Sequence, residues 1–362
     1  MLKACFITHE QAFQENRLFS PEVAPQMHEF SEGLLAYGIQ CATSDLCPPE
    51  QADFLVINRL DLMFVPVIRA LTRNPHARLV LLALEEPVVC GLHEGDILTQ
   101  LDVDRVFCWR DDLADRRNFV KINIPQSESE WLGADRLKFS ERKLIVAIDG
   151  FKSSSHPNEC YSLRRKTLTG LAKAGIDVDL YGRGWAGCQD ETLRGLWRGP
   201  TDSKYAVQSN YRFTLCIQNA KDYPGDVCEK IFDAFKTGSI PIYHGAPNIA
   251  DHVPADCFVD LRAFSAPDEL AAFITAFSED EYQSMRQAAN RFMQSGFKEK
   301  FSGKAVARTV GSELLDLKSG AQTARRPIAW AFGTLWSVVR SLRTAPRRGK
   351  WLALMYMCRS LK

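Results

Sequence analysis

The stretch that decides the fold is residues 211–264, YRFTLCIQNAKDYPGDVCEKIFDAFKTGSIPIYHGAPNIADHVPADCFVDLRAF. An apolar run at 213–217 has strand length, and the segment 222–226 that follows shortly after has the composition of a turn. Apolar residues then recur at helical spacing up to Gly238, and a second apolar run occupies 239–243. A strand, a helix and a strand in this order predict a parallel sheet with helices on its faces, whose ligands bind at the carboxyl ends of the strands.

The rest of the chain continues the alternation of strands and helices, which predicts an α/β fold. The strands predicted in the first part of the chain are Lys3–Thr8, Asp53–Asn58, Leu79–Leu84, Arg105–Cys108 and Phe119–Ile124. A polar and charged segment at 127–143 then precedes the apolar run Leu144–Ile148, which begins a second series. We expect an N-terminal α/β domain at 1–142, a second α/β domain at 143–320 and a separate tail at 321–362.

Five segments of the deciding stretch follow the pattern of a known family. They are Tyr211–Phe213, Gln218–Ala220, Gly225–Ile231, Asp233–Phe235 and Ile240–Gly245. In register, these segments resemble the donor-binding core of glycosyltransferase family 10, the α-1,3/1,4-fucosyltransferases. The chain departs from the pattern at three positions, with Gln218, Asp226 and Cys228 where the family has glutamate, tyrosine and threonine.

The resemblance implies a fold and an activity. The fold would be GT-B-like, with two Rossmann-like domains facing each other across a cleft. The activity would be an inverting, metal-independent transfer of fucose from GDP-fucose to a hydroxyl group of a GlcNAc- or Gal-containing surface glycan. Two alternatives remain open, namely the same fold with another nucleotide sugar and an inactive protein that binds glycans or membrane surfaces.

The donor site is predicted at the start of the helix that follows Gly225. Free amides and the helix dipole favour phosphate there, and Lys230 adds a positive charge. By resemblance, Lys230 contacts the nucleotide diphosphate, Glu229 contacts the ribose or the sugar, and Asn219 belongs to the same pocket. Gln218 and Asp226 are expected near the sugar. The alternative is a solvated Glu–Lys pair in the first turn of the helix.

An arginine is also expected at the diphosphate. The family has one seven residues before a helix leucine, and with Leu171 as that leucine the match is Arg164. A guanidinium holds phosphate through two donors at once. The alternative is a surface arginine on an amphipathic helix, and Arg183 is a secondary candidate.

The general base is predicted at the end of the apolar strand Leu79–Leu84. Glu85-Glu86-Pro87 follows it, and the family places its base in a similar tripeptide, at the position of Glu85. An inverting transfer needs a carboxylate that removes the proton of the acceptor hydroxyl. Glu86 is the second candidate, and the alternative is an ordinary pair of loop glutamates.

Two Asp-x-Asp strings, at 102–104 and 177–179, have the form of a metal site in other nucleotide-sugar transferases. One lies just before a predicted strand and the other partly within one, where alternate side chains share a face without any metal. We therefore expect neither a metal nor another cofactor. His244 stands where the family often has tryptophan, and it is expected to line the pocket.

Composition limits the class of protein. Apolar residues make up 46% and charged residues 25% of the chain, as in globular proteins. The eleven cysteines form no C-x-x-C pair, which is typical of reduced, cytosolic proteins. The first residues lack the apolar core of a signal peptide, and no stretch reaches the ~18 apolar residues of a spanning helix. These features predict a cytoplasmic protein. The resemblance adds the expectation of a bacterial type, because animal members of the family carry an N-terminal membrane anchor and none is seen in this sequence.

The tail differs in charge from the rest of the chain. Residues 318–362 contain ten basic residues and no acidic one. Nine of these basic residues alternate with tryptophan, leucine and other apolar residues at 325–362, a pattern that suits the inner, anionic face of a membrane and a lipid-linked glycan acceptor. The alternative is a terminal helix packed on the donor domain. Nucleic acid is not expected as a partner, because the rest of the chain has an excess of acidic residues.

Overall fold

A computed structural model of the 362-residue chain describes residues 1–8, 11–129, 136–320, 325, 330, 333 and 334. These residues form two compact units. The first unit contains the described residues up to Glu128 together with those from Lys298 onward, and the second contains the described residues from Ser129 to Phe297.

The first unit is built on a six-stranded parallel sheet. Its strands are β1 (Leu2–Phe6), β2 (Ile39–Thr43), β3 (Phe54–Ile57), β4 (Arg78–Ala83), β5 (Arg105–Cys108) and β6 (Phe119–Lys121). They lie in the order β2-β1-β3-β4-β5-β6, with helices α1 (Pro25–Leu35), α2 (Leu60–Arg73) and α3 (Gly95–Leu98). Every side chain of β4 is buried, as is typical of a parallel strand covered on both faces. The five predicted strands are confirmed, whereas the edge strand β2 was not predicted.

The second unit is built on a five-stranded parallel sheet in the order β11-β10-β9-β7-β8. Its strands are β7 (Lys143–Ile148), β8 (Val178–Tyr181), β9 (Tyr211–Ile217), β10 (Ile240–His244) and β11 (Val259–Asp260). Its helices are α4 (Tyr161–Lys173), α5 (Glu191–Leu196), α6 (Lys204–Gln208), α7 (Glu229–Lys236), α8 (Ile249–His252), α9 (Pro267–Ala276) and α10 (Glu279–Gln294). The predicted strand–helix–strand unit is confirmed as β9, α7 and β10, and Gly238, at φ 69°, follows the end of α7.

The chain leaves the second unit through α11 (Gly296–Lys300), and α12 (Gly303–Ser319) packs in the first unit against α1. Small residues allow this close approach, because a Cβ atom on Gly33 would lie 2.6 Å from the Cβ atom of Ala307. Val306, Val310 and Leu314 join the core that contains Phe30 and Leu34. The predicted second domain at 143–320 therefore differs from the structure, which places α12 in the first unit.

Most of the predicted tail at 321–362 lies outside the described residues. Arg325 belongs to it and donates to Asp104 Oδ2 at 2.8 Å, and the nearly buried ring of Trp330 stacks on Phe64 with 5.7 Å between centroids. These contacts are with the first unit, whereas the predicted alternative was packing on the donor domain. No helix in the described part of the chain is both long and apolar enough to cross a membrane.

Candidate functional site

The N-terminus of α7 is shaped by the turn before it. Asp222 and Gly225 have positive φ angles of 65° and 85°, and the N–H group of Gly225 donates to Asn248 Oδ1 at 2.9 Å. Glycine adopts such a conformation readily, and aspartate tolerates it. The turn thus places Glu229 and Lys230 in the first turn of α7, where free amides and the helix dipole favour an anion.

Three charged side chains from three elements meet beside this helix end. Asp149 directly follows β7, Arg164 lies in α4 and Lys230 lies in α7. Asp149 Oδ2 is 3.1 Å from Arg164 Nε, and Asp149 Oδ1 is 3.3 Å from Lys230 Nζ. The side chains of Asp149 and Arg164 are each 3% exposed, whereas that of Lys230 is 20% exposed. The ammonium of Lys230 is therefore the cation of this cluster with the larger share of solvent contact.

The charges around Lys230 keep it protonated. Burial alone would lower the pKa of Lys230, but the carboxylates of Asp149 and Glu229 outweigh burial and raise that pKa above its ordinary value. Glu229 Oε1 is 3.7 Å from Lys230 Nζ, and the Glu229 side chain is 48% exposed. The alternative of a solvated Glu–Lys pair thus describes Glu229 but not the mostly buried Lys230. A fixed ammonium beside a helix N-terminus suits a phosphate or diphosphate group.

Arg164 is bound to protein groups on two sides. In addition to Asp149, its guanidinium donates through Nη2 to the carbonyl oxygen of Ile217 at 2.7 Å and to that of Gln218 at 3.3 Å. The residue is 2% exposed, so the alternative of a surface arginine is wrong. Arg164 thus links the carboxyl end of β9 to Asp149 and fixes the position of these two parts of the cluster relative to each other.

The three positions at which the chain departs from the family pattern are buried behind the turns. Gln218 is 0% exposed and Asp226 is 1% exposed. Gln218 Oε1 accepts a hydrogen bond from the thiol of Cys228. The hydroxyl of Tyr243 donates to the carbonyl oxygen of Asp226 at 3.1 Å and accepts from the N–H group of Ala246 at 3.0 Å. Gln218 and Asp226, predicted near the sugar, are thus placed within the protein interior.

The other predicted residues of the second unit lie around this cluster. The carbonyl oxygen of half-buried Asn219 accepts from the N–H group of Cys160 at 2.8 Å. Arg183 is exposed in the loop after β8. His244 ends β10 and lines a cavity of about 180 Å³ together with Thr167 and Arg262, and its predicted place in the donor pocket stays a prediction. Burial and the charge of Arg262 lower the pKa of His244, so this imidazole is neutral near pH 7.

Glu85 and Glu86 lie in the first unit, directly beyond the carboxyl end of β4. Glu85 is half-buried, and its carbonyl oxygen contacts His93 Nδ1 at 2.8 Å. Glu86 is 5% exposed, and its carbonyl oxygen accepts from the N–H groups of Val89 and Cys90 at 2.9 Å each. The backbone of this tripeptide is therefore held by the loop that follows, and Glu85 has the larger exposed share of the two.

The Asp-x-Asp strings bind cationic side chains of the protein. Asp104 contacts Arg78 at 3.3 Å and Arg325 at 2.8 Å. Asp179 contacts Lys143 at 2.8 Å and Arg198 at 2.5 Å. Within the described residues, no three His, Cys, Asp or Glu side chains are grouped so that they could hold a metal ion.

Residues 150–293, which include α4, α7 and their strands, match the family described as glycosyltransferase family 10 (fucosyltransferase) C-term. Residues 150–293 belong to glycosyltransferase family 10. The boundaries of this family 10 region enclose Arg164, Asn219, Glu229 and Lys230, whereas Asp149 lies one residue before it.

Two curated relatives and one solved structure are similar to this chain. An alpha-(1,4)-fucosyltransferase of Arabidopsis thaliana is 36% identical over 91 residues, which cover 24% of this chain and 22% of the relative. The GDP-fucose protein O-fucosyltransferase 3 of Rattus norvegicus is 35% identical over 116 residues, 30% of this chain and 23% of the relative. The chain thus spans less than a quarter of the length of these two relatives.

The solved structure is an alpha1,3-fucosyltransferase with GDP-fucose. It aligns at a TM-score of 0.54 and 16% identity over 90% of this chain and 92% of that chain. At this identity the likeness shows the fold alone. This likeness, together with two α/β units that are each built on a parallel sheet, shows the GT-B fold.

Sequence reasoning missed Asp149, which the structure places in the charged cluster with Arg164 and Lys230. The family 10 pattern drew attention to the stretch at 211–264, and Asp149 lies outside that stretch. A signal was available, because Asp149 directly follows the apolar run Leu144–Ile148 and so had to lie at the carboxyl end of a strand. Ligands of parallel sheets bind at that edge.

Proposed function

We propose that this chain is an inverting glycosyltransferase that transfers fucose from GDP-fucose to a hydroxyl group of a glycan. The observation that carries the proposal is the Lys230 ammonium, fixed by buried Asp149 at the N-terminus of α7 within a family 10 region. The two relatives and the similar solved structure are all named as fucosyltransferases, which supports the same donor class for this chain.

The departing nucleotide is stabilised by preorganised charge. When the bond between the anomeric carbon of fucose and the β-phosphate oxygen breaks, the diphosphate gains negative charge. Lys230, the amides at the start of α7 and Arg164 stabilise that charge, and fixed charges of this kind need no rearrangement during the reaction. Glu229, which is half-exposed beside Lys230, accepts hydrogen bonds from ribose or sugar hydroxyls, and Asn219 borders the same pocket.

The acceptor is activated by a carboxylate of the first unit. Glu85 removes the proton of the acceptor hydroxyl while that oxygen attacks the anomeric carbon from the face opposite GDP, which inverts the configuration. Glu86 is the second candidate for the base. Because the diphosphate charge is met by Lys230 and the helix end, the reaction needs neither a divalent metal nor another cofactor.

The acceptor class is a GlcNAc- or Gal-containing surface glycan, free or linked to a lipid, and the linkage is α-1,3-like. The first unit, which carries Glu85, is the part of the chain that selects it. A lipid-linked acceptor agrees with the basic and aromatic composition of 325–362. We therefore propose a cytoplasmic protein attached peripherally to the inner face of the plasma membrane through this tail.

Turnover of the donor tests the proposed reaction directly. Purified protein is incubated with GDP-fucose and a panel of GlcNAc- and Gal-containing acceptors, without divalent metal, and released GDP is measured. Acceptor-dependent release that disappears in Glu85→Gln supports the proposal. GDP binding without release by the wild-type protein, for any acceptor or for water, would instead support an inactive binding protein.

The tail is tested separately by co-sedimentation with anionic vesicles. A chain ended at Thr334 keeps Arg325 and Trp330, whose contacts with the first unit would be lost in a chain ended at Ala324. The proposal predicts that the full chain binds the vesicles and that the shortened chain does not. The membrane role is contradicted if the full chain does not bind anionic vesicles, or if the shortened chain binds them equally well.

A second candidate keeps the fold and changes the donor sugar. Gln218 and Asp226 replace the glutamate and tyrosine of the family pattern, and both lie directly behind the turns of the site. Replacement of buried residues can shift the turns and therefore alter which sugar fits. A GDP-sugar other than GDP-fucose that turns over faster with the same acceptors would establish this candidate.

A further inference from the structure

We propose that Asp149 is a positioning residue for donor binding, which holds the ammonium of Lys230 in place for the diphosphate. The inference rests on the proposed function, namely that this site binds a nucleoside diphosphate. It assigns a role to a residue that lies outside the matched family region and that the sequence pattern did not single out.

The backbone of Asp149 is fixed from two sides. Its N–H group donates to the carbonyl oxygen of Tyr181 at 2.9 Å, and its own carbonyl oxygen accepts from Nε1 of buried Trp185 at 2.6 Å. Gly182 lies directly against this carbonyl at φ 132°, and a Cβ atom there would come within 2.0 Å of Asp149 O. Only glycine fits so close an approach. The carboxylate therefore projects from a fixed point.

The two carboxylate oxygens have different partners. Oδ2 lies 3.1 Å from Arg164 Nε, and Arg164 is itself tied to the carbonyl oxygens of Ile217 and Gln218. Oδ1 lies 3.3 Å from the ammonium of Lys230. Since a lysine side chain has four rotatable bonds and Arg164 is already held, the freedom that Asp149 removes is mainly that of Lys230. A cation that is held in place before the ligand arrives binds an anion with a smaller entropic loss.

The charge balance leaves the cluster ready for an anion. Among the buried side chains, two cations face the one carboxylate of Asp149, whereas the second carboxylate beside Lys230, that of Glu229, is 48% exposed and screened by solvent. The titratable groups around Lys230 include Asp149 from the end of β7, Arg164 from α4, Cys216 from β9, Cys228 just before α7 and Glu229 at its start. Asp149 and Glu229 favour the ammonium form, whereas burial and Arg164 oppose it. Removal of the Asp149 charge therefore lowers the pKa of Lys230.

A purely structural ion pair is the competing explanation, and the same unit offers a matched control. Asp179 is also buried, with a side chain 4% exposed, and binds two cations, Lys143 and Arg198. It also accepts from the hydroxyl of Tyr211 at 2.5 Å. Lys143 and Tyr211 begin β7 and β9, so this cluster lies at the opposite edge of the sheet from Asp149. Loss of either carboxylate lowers stability, but only the loss of Asp149 should affect the ligand.

The experiment compares Asp149→Asn and Asp179→Asn in the full chain, with GDP affinity measured calorimetrically at pH 7.5 and pH 9. Loss of one charge-assisted contact corresponds to about tenfold weaker binding. We expect that loss for Asp149→Asn at pH 7.5 and a larger one at pH 9, because the Asp149 carboxylate no longer raises the pKa of Lys230. Asp179→Asn should follow the wild-type protein at both values.

Two further variants separate positioning from folding. In a Lys230→Met background, Asp149→Asn should weaken GDP binding much less than it does in the wild type, because its main target is gone. Asp149→Glu keeps the charge but displaces it, so it should bind GDP more weakly than wild type with the wild-type pH profile. This second variant decides the matter if Asp149→Asn does not fold.

The outcomes separate this inference from the proposed function. Equal affinities and equal pH profiles for Asp149→Asn and Asp179→Asn overturn the inference and leave the function untouched. If the wild-type protein binds UDP and not GDP, the proposed donor fails, and the same comparison on UDP still decides the inference. A wild-type protein that binds neither nucleotide overturns both.

Discussion

Substitution of Lys230 by methionine should separate ligand affinity from stability. Methionine keeps most of the length and apolar character of the stem and removes the ammonium. Asp149 keeps Arg164 at 3.1 Å after the change, so no buried carboxylate is left without a cation. The contact that disappears is the one at 3.3 Å between Lys230 Nζ and Asp149 Oδ1, together with the interaction of Lys230 with the ligand.

The expected loss of folding stability is smaller than the expected loss of GDP affinity, and the two can be worked out separately. At 3.3 Å the Coulomb attraction of the pair is about 5 kcal/mol with an effective dielectric constant of ~20. Much of this attraction is offset by the desolvation of the ammonium, because the Lys230 side chain is only 20% exposed. We expect the free energy of unfolding to fall by about 1–2 kcal/mol. A hydrogen bond from an ammonium to phosphate contributes about 1.5–3 kcal/mol, so GDP should bind about 10- to 150-fold more weakly.

The matched control is Lys204→Met. Lys204 contacts buried Asp233 at 2.5 Å, and Asp233 keeps the hydroxyl of Tyr205 at 3.0 Å when the lysine is removed. Urea unfolding should show comparable losses for both variants, whereas calorimetry should show weaker GDP binding for Lys230→Met alone. The reasoning is refuted if Lys230→Met binds GDP within twofold of the wild type, or if Lys204→Met loses as much affinity.

Three further variants test the base, the buried charges and the helix packing. Glu85→Gln should leave the dissociation constant of GDP unchanged and remove fucose transfer, because an amide cannot take the acceptor proton. If Glu85→Gln still transfers fucose and Glu86→Gln does not, the base is Glu86 and the assignment to Glu85 is wrong. Burial opposes the ionisation of Asp179, but its hydrogen bonds outweigh burial and hold its pKa below the ordinary value. The stability that this carboxylate contributes is thus present above pH ~4 and lost as the pH falls further. The difference in unfolding free energy between wild type and Asp179→Asn should therefore shrink from pH 6 to pH 3. A difference that stays constant over this range would contradict the lowered pKa of Asp179. Gly33→Ala should destabilise the first unit by about 1–3 kcal/mol in urea unfolding, because the new Cβ atom would lie 2.6 Å from that of Ala307. Adding Ala307→Gly to this variant should restore the lost stability. An unchanged stability in Gly33→Ala would show that α1 and α12 are not held at this distance.

The fold could largely be predicted from the sequence, because parallel strands and their helices leave strong periodic patterns. The buried strand β4 and the unit of β9, α7 and β10 are both visible as apolar runs bounded by turns. The edge strand β2 was missed because its pattern IQCAT is short and only partly apolar, since an edge strand buries less of its surface. Placement of α12 also failed, because an amphipathic helix shows that it packs somewhere but not on which sheet. Its contact with α1 depends on the absence of a side chain at Gly33, and only the structure shows that Gly33 faces Ala307.

The candidate site was predictable where a family pattern covered it and not elsewhere. Lys230 and Glu229 were found because the pattern and the glycine turn coincide. The burial of Arg164 was not foreseen, since its partners Ile217 and Gln218 are more than 50 residues away in sequence. The hydrogen bond between Gln218 and Cys228 shows that two departures from the family pattern are in direct contact. Separate inspection of each position could not show this.

The most direct test of the account is the binding of nucleotide sugars to the wild-type protein without divalent metal, followed by thermal unfolding. At a ligand concentration of 100 dissociation constants, one site adds about 2.7 kcal/mol to the stability of the folded state. The account predicts that GDP and GDP-fucose raise the melting temperature of the wild-type protein, and that the same concentrations raise that of Lys230→Met far less. Stabilisation by UDP-sugars without any by guanosine nucleotides would contradict it.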